Sequence, residues 1–511
     1  MPAPYSQINI VMLGHIVLFN ASHFQRRSSG AYRTANILRD MGFEVEVIDF
    51  VEQWDIEKLK QYVNKIVSSD TIAFAFSYTW MIQDIIGECV QWLKETFPGR
   101  KYFAGGQQPF QKYEGFDLVC TGFFEYAAEP IVDYLFNNGP PPTHTMIHNG
   151  KTMLVNGDTD YPAHSIRDLT VTYNHSDHIQ PFEALTIELS RGCRFKCKYC
   201  SYAFLGFKES VFRDPENVRA ELINNYNLYG VKNYIIADST VNDDDDKLRM
   251  IADVVESLPF KPNFSAFVRV DLVVVRPYQM ELLKRARIWA HFYGVETFHP
   301  VAAKAIGKGM SPKKIQKCLI NMRQYFLDEL GLYRGSIGLI AGLPGEDEKS
   351  WRRTQKWMKK NWITETWHWW PLDITNDSSN DNTNSLFSDD PAKYGYSKIS
   401  NQETIDALKQ QYEQFGKLAH HRLDDNYFFW QNDQTNFYEA SMWCSKMFSP
   451  ENIFKVEPNF YIMNRLTSVE NEQDALSLSW NIWDDKKIDT STDPDPLDLY
   501  MTKKIESKHN Q

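Results

Sequence analysis

Cysteine is scarce in this chain, in which seven of 511 residues are cysteine and three of these seven lie close together. The other four are scattered along the chain: Cys89, Cys120, Cys318 and Cys444. This pattern excludes a dense disulfide scaffold, and we expect the four scattered cysteines to be buried free thiols in a reducing compartment. Structural zinc usually takes four ligands in two separated pairs, and the sequence has no second cysteine pair.

Long apolar runs are also missing, because no stretch approaches the roughly 18 residues of a membrane span. The first seven residues have neither the basic nor the apolar segment of a secretory signal. The formal net charge is −11, whereas a general nucleic-acid binder normally has a basic face. We therefore expect a cytoplasmic protein that binds neither membranes nor nucleic acid. The sequence has no internal repeat, and its length predicts two to four domains.

The three neighbouring cysteines are Cys193, Cys197 and Cys200, with the spacing C-x3-C-x2-C. Thiolates at this spacing on a loop are able to converge on one soft metal site. A [4Fe–4S] cluster normally takes four cysteine ligands, so three would leave one iron open to a small molecule. A predicted strand at residues 184–189 precedes the loop, and Asp214-Pro215 begins a helix after it. This order predicts the entrance to a β/α barrel, whose functional residues follow the strands.

The segment Arg191-Gly192-Cys193 to Tyr199-Cys200 is similar to the signature of radical S-adenosylmethionine (SAM) enzymes. The resemblance implies that the three cysteines hold a [4Fe–4S] cluster and that the open iron binds the amino and carboxylate groups of SAM. One electron then cleaves SAM to methionine and a 5′-deoxyadenosyl radical, which abstracts a substrate hydrogen. It also implies an electron donor such as flavodoxin or ferredoxin.

The same resemblance implies SAM contacts along a partial barrel at residues 183–375. The implied cofactor-binding residues are Tyr199, Asp238, Arg269, Glu296, Gly338, Ile340 and Gly342. For Asp238 the alternative is a helix N-cap, and for Arg269 it is a surface salt bridge. The sequence assigns no catalytic residue. In the last predicted strand, Trp367 and Trp369 share one face while His368 and Trp370 share the other, so one face should look into the barrel.

Residues 1–140 predict a doubly wound, Rossmann-like domain, with strands at 8–13, 43–48, 71–76, 102–106 and 118–120. Gly105-Gly106 and the later Asp117-x-Val119-x-x-Gly122 resemble the cobalamin-binding domain of one radical SAM branch. The Asp-x-His-x-x-Gly motif that supplies the lower cobalt ligand in classical cobalamin domains is absent. The resemblance therefore implies cobalamin bound without a histidine, or a relic domain that has lost this cofactor.

Two further regions complete the predicted organisation. Residues 141–182 predict a hairpin, with an Asn149-Gly150 turn, and a linker. Residues 376–511 predict loops and helices that help to define the substrate pocket, followed by a charged, mobile tail after Asp484. The expected fold class is thus α/β: an N-terminal doubly wound Rossmann-like domain, a partial (β/α)6 TIM-like barrel and a mainly helical C-terminal region.

The functional hypothesis is a radical SAM enzyme acting on a small molecule or peptide, with methyl transfer as the favoured outcome if cobalamin binds. One alternative is a cobalamin-independent radical SAM enzyme with a relic N-terminal domain. The other is a non-enzymatic iron–sulfur or zinc-binding protein.

Overall fold

The computed structural model describes residues 13–22, 27–51, 54–79, 84–106, 115–142, 145–148, 152–156, 166–167, 169–181, 183–200, 211–362, 365–374, 385–415, 428–447 and 496–507. The chain forms two compact units. The first comprises Met1–His164, Thr170–Ile179 and Thr490–Gln511, and the second comprises Ser165–Leu169 and Gln180–Asp489.

The first unit contains a sheet with seven described strands. They are β1 Gly14–Ser22, β2 Phe43–Asp49, β3 Thr71–Thr79, β4 Lys101–Gly106, β5 Leu118–Thr121, β6 Met146–His148 and β7 Thr152–Asn156. The spatial order is β2-β1-β3-β4-β5-β7-β6. Strands β1 to β5 are parallel, and β7 adds parallel to β5 while β6 closes the sheet as an antiparallel hairpin partner. The order 2-1-3-4-5 is that of a flavodoxin-like doubly wound sheet, whose ligands bind at the carboxyl ends of the strands.

Helices alternate with these strands: α1 Ser29–Asp40, α2 Ile56–Ile66, α3 Asp84–Thr96 and α4 Phe124–Phe136. Helix α2 shows how the local sequence determines one of these helices. The side chain of Asp55 accepts hydrogen bonds from the amides of Glu57 and Lys58, which caps the first turn. The residues it buries, Leu59, Tyr62, Val63 and Ile66, recur at helical spacing and face the sheet.

The second unit is built on six parallel strands in sequence order. They are β8 Ala184–Ile187, β11 Asn233–Ile236, β12 Asn263–Phe267, β13 Ile288–Glu296, β14 Arg334–Ala341 and β15 Thr366–Pro371. The short strands β9 Ser190–Arg191 and β10 Val211–Phe212 form a separate antiparallel ribbon after β8. The helices between the strands are α5 Pro215–Tyr229, α6 Asp245–Glu256, α7 Val270–Val275, α8 Gln279–Arg285, α9 Pro300–Ala305, α10 Pro312–Leu330 and α11 Glu348–Asn361. Proline begins α5 and α10, and a left-handed glycine ends each of them, as their sequences predict.

The described C-terminal elements of this unit include three helices and two short strands. They are α12 Leu386–Asp389, β16 Ser397–Lys398, α13 Gln402–Phe415, β17 Trp430–Gln431 and α14 Phe437–Met447. Helix α14 packs on β15, where the rings of Trp369 and Trp443 lie 5.8 Å apart. The predicted α/β fold class is therefore confirmed. None of the described helices has the length and apolarity that a membrane crossing requires.

Two features differ from the sequence-based expectation. The first described strand begins at Gly14, whereas we predicted a strand at residues 8–13, of which 8–12 lie outside the described residues. Gly14 has φ +144°, and a Cβ there would lie 2.8 Å from the Cδ1 atom of Ile72. The glycine thus permits close strand contact at the start of β1 and does not end a strand. The turn of the predicted hairpin, Asn149-Gly150, lies outside the described residues.

The second difference is in the expected mobile tail, where residues Pro496–Ser507 form a helix that belongs to the first unit. The buried ammonium of Lys504 lies 2.6 Å from a carboxylate oxygen of Glu46 and donates to the carbonyl of Val47 at 2.9 Å. The hydroxyl of Tyr500 accepts a hydrogen bond from the amide of Asp49 at 3.0 Å. These contacts lie 451 to 458 residues apart in sequence, which is why composition alone did not reveal them.

The Lys504–Glu46 pair predicts that replacing Lys504 by Met loosens the C-terminal helix. The change leaves the buried carboxylate of Glu46 without its cation, which typically costs about 3–5 kcal/mol. Hydrogen exchange of peptides covering β2 and residues 496–507 should accelerate together, because local opening becomes easier. The control is Lys58→Met on the exposed surface of α2, which should leave both peptides unchanged. Unchanged exchange in the Lys504→Met protein would contradict the docking of this helix.

Candidate functional site

The three cysteines lie on a short loop at the carboxyl edge of the barrel. We call residues 192–200 the cluster loop. It starts at Gly192, which has φ +100°, directly after β9. Cys193, Cys197 and Cys200 are half-buried, and none of them is in a disulfide. The loop contacts two other segments of the unit, because the amide of Lys198 donates to the carbonyl of Ile306 at 3.3 Å, and the carbonyl of Lys198 accepts from Phe387 at 3.1 Å.

Arg269, at the carboxyl end of β12, reaches the cluster loop directly. Its Nη1 atom donates to the Sγ atom of Cys197 at 3.4 Å, and its guanidinium lies 3.8 Å from the ring centroid of Phe195. Asp271 orients the guanidinium through two contacts of 3.0 and 2.5 Å. Burial raises the pKa of the Cys193 thiol, so thiolates in this loop need a metal or a cation to stabilise them. Arg269 supplies one such charge, and its contact with SAM stays a prediction.

Tyr199 and Glu296 join the cluster loop to the end of β13. The Tyr199 hydroxyl donates to Oε1 of Glu296 at 2.6 Å, and the ammonium of Lys308 donates to the same oxygen at 2.9 Å. Burial and the Glu296 charge raise the pKa of Tyr199 well above its usual value, so the phenol remains a donor.

The backbone of Glu296 has an unusual conformation, and the missing side chain of Gly294 leaves room for the Glu296 carboxylate. Glu296 has φ +67°, a value that non-glycine residues adopt mainly where the surroundings impose it. Its carboxylate folds back over Gly294, where a Cβ would lie 2.6 Å from Oε1. A β-bulge separates the two residues in their pairing with β14. The sequence Gly294-Val-Glu296 therefore places a carboxylate at the barrel edge beside Tyr199. The assignment of Tyr199 and Glu296 to SAM stays a prediction.

Asp238 follows β11 and is buried, but its carboxylate is already engaged by the protein. One oxygen accepts from the amides of Leu189 and Ser190 at 2.8 and 3.0 Å, and the other accepts from the Ser190 hydroxyl at 2.5 Å. The ammonium of Lys247, from α6, lies 3.3 Å from the second oxygen. For Asp238 we considered the role of a helix N-cap as the alternative. The N-cap of α6 is instead Asp244. Asp238 thus fixes the backbone that leads into the cluster loop, and its contact with the SAM ammonium stays a prediction.

Lys247 completes this buried junction. Its Nζ atom donates to the Ser190 hydroxyl and to the carbonyl of Thr240, both at 2.8 Å, and lies 2.7 Å from Asp243. Sequence reasoning missed Lys247 because a lysine in an amphipathic helix is usually solvated. It also missed Lys308, which has no motif around it. No sequence signal identifies either partner, because each contact is made across the fold.

The predicted glycine segment of β14 meets side chains of the same unit. A Cβ at Gly338 would lie 3.1 Å from Cζ of Phe292 and 3.3 Å from Nε2 of His368. At Gly342, φ is +97° and a Cβ would lie 2.0 Å from Cη2 of Trp430, so the indole covers this glycine. Ile340 between them is half-buried. The close approach that we expected from a ligand is made at Gly342 by a tryptophan, and the SAM contacts of this segment stay a prediction.

The described residues do not form a ready-made site for a single zinc ion. Zinc requires all of its ligand atoms within about 2.0–2.3 Å of one point. Within the described part of the chain, no three Cys, His, Asp or Glu side chains are placed to hold one metal ion. A cubane carries its irons at separate corners, so three thiolates bind it without meeting at a point. Cys193, Cys197 and Cys200 lie on one loop with the Arg269 guanidinium against Cys197, and their binding of a cluster stays a prediction.

The engagement of Asp238 predicts the effect of Asp238→Asn. The amide would direct a donor toward either the Lys247 ammonium or the two backbone amides, and breaking a buried pair of this kind costs about 3–5 kcal/mol. We expect lower stability and a lower iron content after anaerobic reconstitution, because the start of the cluster loop is released. Asp246→Asn, at an exposed position of α6, is the matched control. Full iron content with SAM binding weakened by about 1–3 kcal/mol would instead assign Asp238 to the SAM ammonium.

Comparison with known proteins agrees with this geometry. Residues 187–358 match the family model of the radical SAM superfamily. An uncharacterised methyltransferase of Pyrococcus horikoshii is 25% identical over 171 residues, which cover 34% of this chain and 36% of the relative. The chain thus matches about a third of the length of this curated relative.

Two solved structures share the fold over nearly the whole chain. The radical SAM methyltransferase TsrM from Kitasatospora setae, solved with tryptophan and the SAM analogue aza-SAM, has a TM-score of 0.63 and 14% identity, covering 92% of this chain and 99% of TsrM. The cobalamin-dependent SAM radical enzyme OxsB, solved with aqua-cobalamin and SAM, has a TM-score of 0.55 and 13% identity, covering 98% and 84%. At these identities the likeness shows the fold. The match of residues 187–358 to the radical SAM family model and the cysteine loop together confirm the resemblance read from the sequence.

Proposed function

We propose that this protein is an enzyme that binds a [4Fe–4S] cluster through Cys193, Cys197 and Cys200 and cleaves SAM reductively to start radical chemistry. The observation that carries the proposal is the cluster loop itself, which sits at the carboxyl edge of a six-stranded barrel with the Arg269 guanidinium on Cys197. When bound, the cluster and SAM supply a 5′-deoxyadenosyl radical that abstracts a hydrogen from the substrate. A one-electron donor such as flavodoxin or ferredoxin has to reduce the cluster.

Several residues of this chain orient the cluster loop and balance its charge. Arg269 offsets the negative charge of thiolates and is held in place by Asp271. The Tyr199–Glu296 hydrogen bond fixes the aromatic ring that precedes the last cysteine. The ammonium of Lys308, 2.9 Å from the buried Glu296 carboxylate, balances its charge. Asp238 and Lys247 hold the strand end from which the loop departs.

We further propose that the first unit binds cobalamin and that the reaction is methyl transfer to a small molecule or peptide. The 2-1-3-4-5 strand order and Gly105-Gly106 at the end of β4 support this proposal. So do the shared fold with TsrM, also solved with cobalamin and a [4Fe–4S] cluster, and with OxsB. Gly105 lies against the carbonyl of Cys120, where a Cβ would approach to 3.2 Å, so a bulkier residue would crowd the strand ends.

The structure also bears on the missing cobalt ligand. Of the two histidines near β1, His15 lies at its amino end, and its Nδ1 atom bonds to the Thr71 hydroxyl at 2.8 Å. Ligands of doubly wound sheets bind at the opposite, carboxyl edge. His23 lies outside the described residues. We therefore propose that cobalamin is held without an imidazole on its lower face.

Replacing all three loop cysteines by alanine tests the cluster. The wild-type protein, reconstituted anaerobically, should contain close to four irons and four sulfides per chain, and its EPR signal should change when SAM is added. The triple variant should lose iron and SAM cleavage while its circular dichroism is retained. Cys318→Ala, in α10, is the control that should keep both. A zinc-only protein, or a cluster whose EPR signal ignores SAM, would favour the non-enzymatic alternative.

Cobalamin binding is tested by reconstitution with hydroxocobalamin. The corrin absorbance should stay with the protein through gel filtration, and the EPR spectrum of the Co(II) form should lack nitrogen superhyperfine splitting from histidine. His15→Ala should not change that spectrum. Loss of the corrin on the column would leave a cobalamin-independent radical SAM enzyme, and histidine splitting would refute the proposed absence of an imidazole ligand.

A further inference from the structure

The two faces of the last barrel strands differ sharply in what they contact. On β15, Trp369 packs against Trp443 of α14, and on β13 the Tyr293 hydroxyl lies 3.5 Å from the sulfur of Met322 in α10. These residues mark the helix-facing side. On the opposite side, register pairs Phe267 with Phe292 and Gly338 with His368. We call Phe267, Phe292, Gly338, His368 and Trp370 the inner face.

Four aromatic rings form a continuous row along this inner face. The centroids of Phe267 and Phe292 are 4.7 Å apart, those of Phe292 and His368 are 5.3 Å apart, and those of His368 and Trp370 are 6.1 Å apart. Phe267 is 40% exposed, and Phe292 and Trp370 are half-buried. An apolar row that remains accessible inside a barrel is a surface on which a flat ring is able to stack.

His368 is the polar group in this row, and its hydrogen bonding is incomplete. Its side chain is 8% exposed, and within the described part of the chain its Nδ1 atom has no hydrogen-bond partner. Burial lowers the pKa of His368 to about 4, so the ring is neutral near neutral pH and offers one donor and one acceptor nitrogen. Buried polar atoms are normally hydrogen-bonded, so a water molecule or a polar group of a ligand is expected beside this Nδ1 atom.

A second buried histidine of the same sheet shows what a structural histidine looks like here. His291, on the helix-facing side of β13, is 2% exposed. Its Nδ1 atom bonds to the Tyr293 hydroxyl and its Nε2 atom to the carbonyl of Ile288, both at 2.7 Å. Burial lowers its pKa to about 4 as well. Both imidazoles are buried, but both ring nitrogens of His291 are hydrogen-bonded by the protein, whereas the Nδ1 atom of His368 has no partner among the described residues.

We propose that the inner face is the substrate site and that it takes an aromatic or heteroaromatic ring bearing one N–H or O–H group. The ring stacks on the row formed by Phe292, His368 and Trp370, and the imidazole of His368 accepts the hydrogen of the polar group. This inference rests on the proposed function, because the substrate of a radical SAM enzyme has to lie within reach of the barrel edge that carries the cluster loop. His368 acts as a substrate-positioning residue and not as a cluster or SAM ligand.

The test uses indole as the probe and N-methylindole as the comparison ligand, because N-methylindole lacks the N–H group. Binding to the full-length, cluster-reconstituted protein is followed by saturation-transfer NMR. Indole should bind more tightly than N-methylindole. The His368→Phe change should lower the affinity for indole about tenfold and leave the affinity for N-methylindole unchanged. His368→Gln, which keeps an acceptor, should retain part of the preference. His291→Phe is the control and should retain the full preference.

Two further readouts separate this inference from its rivals. His368→Phe should keep the unfolding temperature, because no protein hydrogen bond is lost, whereas His291→Phe should lower it. Iron content and the SAM-induced change in the EPR signal should be normal in His368→Phe. Equal binding of the two indoles, or a large loss of stability in His368→Phe, would overturn the proposal while leaving the cluster assignment intact. Loss of the SAM effect in that variant would assign the inner face to SAM and would also overturn it.

Discussion

The buried carboxylate of Asp238 holds the first residues of the cluster loop, and the rest of the site depends on that contact. Because the amides of Leu189 and Ser190 point at one carboxylate oxygen, the chain leaves β8 in a fixed direction before Gly192 turns it. Lys247 balances the charge from the neighbouring helix. The next two strands then contribute Arg269 and Glu296, so successive strand ends each contact the same loop. Parallel strands with their carboxyl ends at one edge make this convergence possible.

The sequence allowed prediction of features that are local in the chain. The cysteine spacing, the proline and glycine at helix ends and the apolar runs of parallel strands depend on a few neighbouring residues, and they predicted both sheets and the position of the cluster loop. The partners of the predicted site residues could not be predicted in this way. Lys247 and Lys308 lie in ordinary helical or loop sequence, and only the fold brings them to Asp238 and Glu296. The C-terminal helix was missed for the same reason, because its anchor is a strand at the other end of the chain.

In the tryptophan-rich strand β15, the side chains on the two faces have different roles. Period-two alternation correctly separates Trp369 from His368 and Trp370, but alternation does not tell which face meets helices. The structure decides this through Trp443, which packs against Trp369 and leaves the other face to Phe292 and the barrel interior. Trp369 thus packs against a helix, and Trp351 contacts the same Trp443 ring. Trp370, beside a histidine that the protein leaves partly unsatisfied, belongs to the face on which ligand chemistry is expected.

Three glycines near the carboxyl ends of β13 and β14 have side chains packed closely beside them. Gly338 and Gly342 were expected to lie beside a ligand, yet the space beside all three glycines is taken by a side chain: Glu296 at Gly294, Phe292 and His368 at Gly338, and Trp430 at Gly342. A Cβ would lie 2.0 Å from the indole of Trp430 at Gly342 and 2.6 Å from the carboxylate of Glu296 at Gly294, whereas at Gly338 it would lie 3.1 Å from Phe292 and 3.3 Å from His368. The glycines thus build the site indirectly, because they let functional groups fold close over the strands. A ligand arriving at this edge meets rings and a paired carboxylate, which favours flat molecules with few, well-placed polar groups.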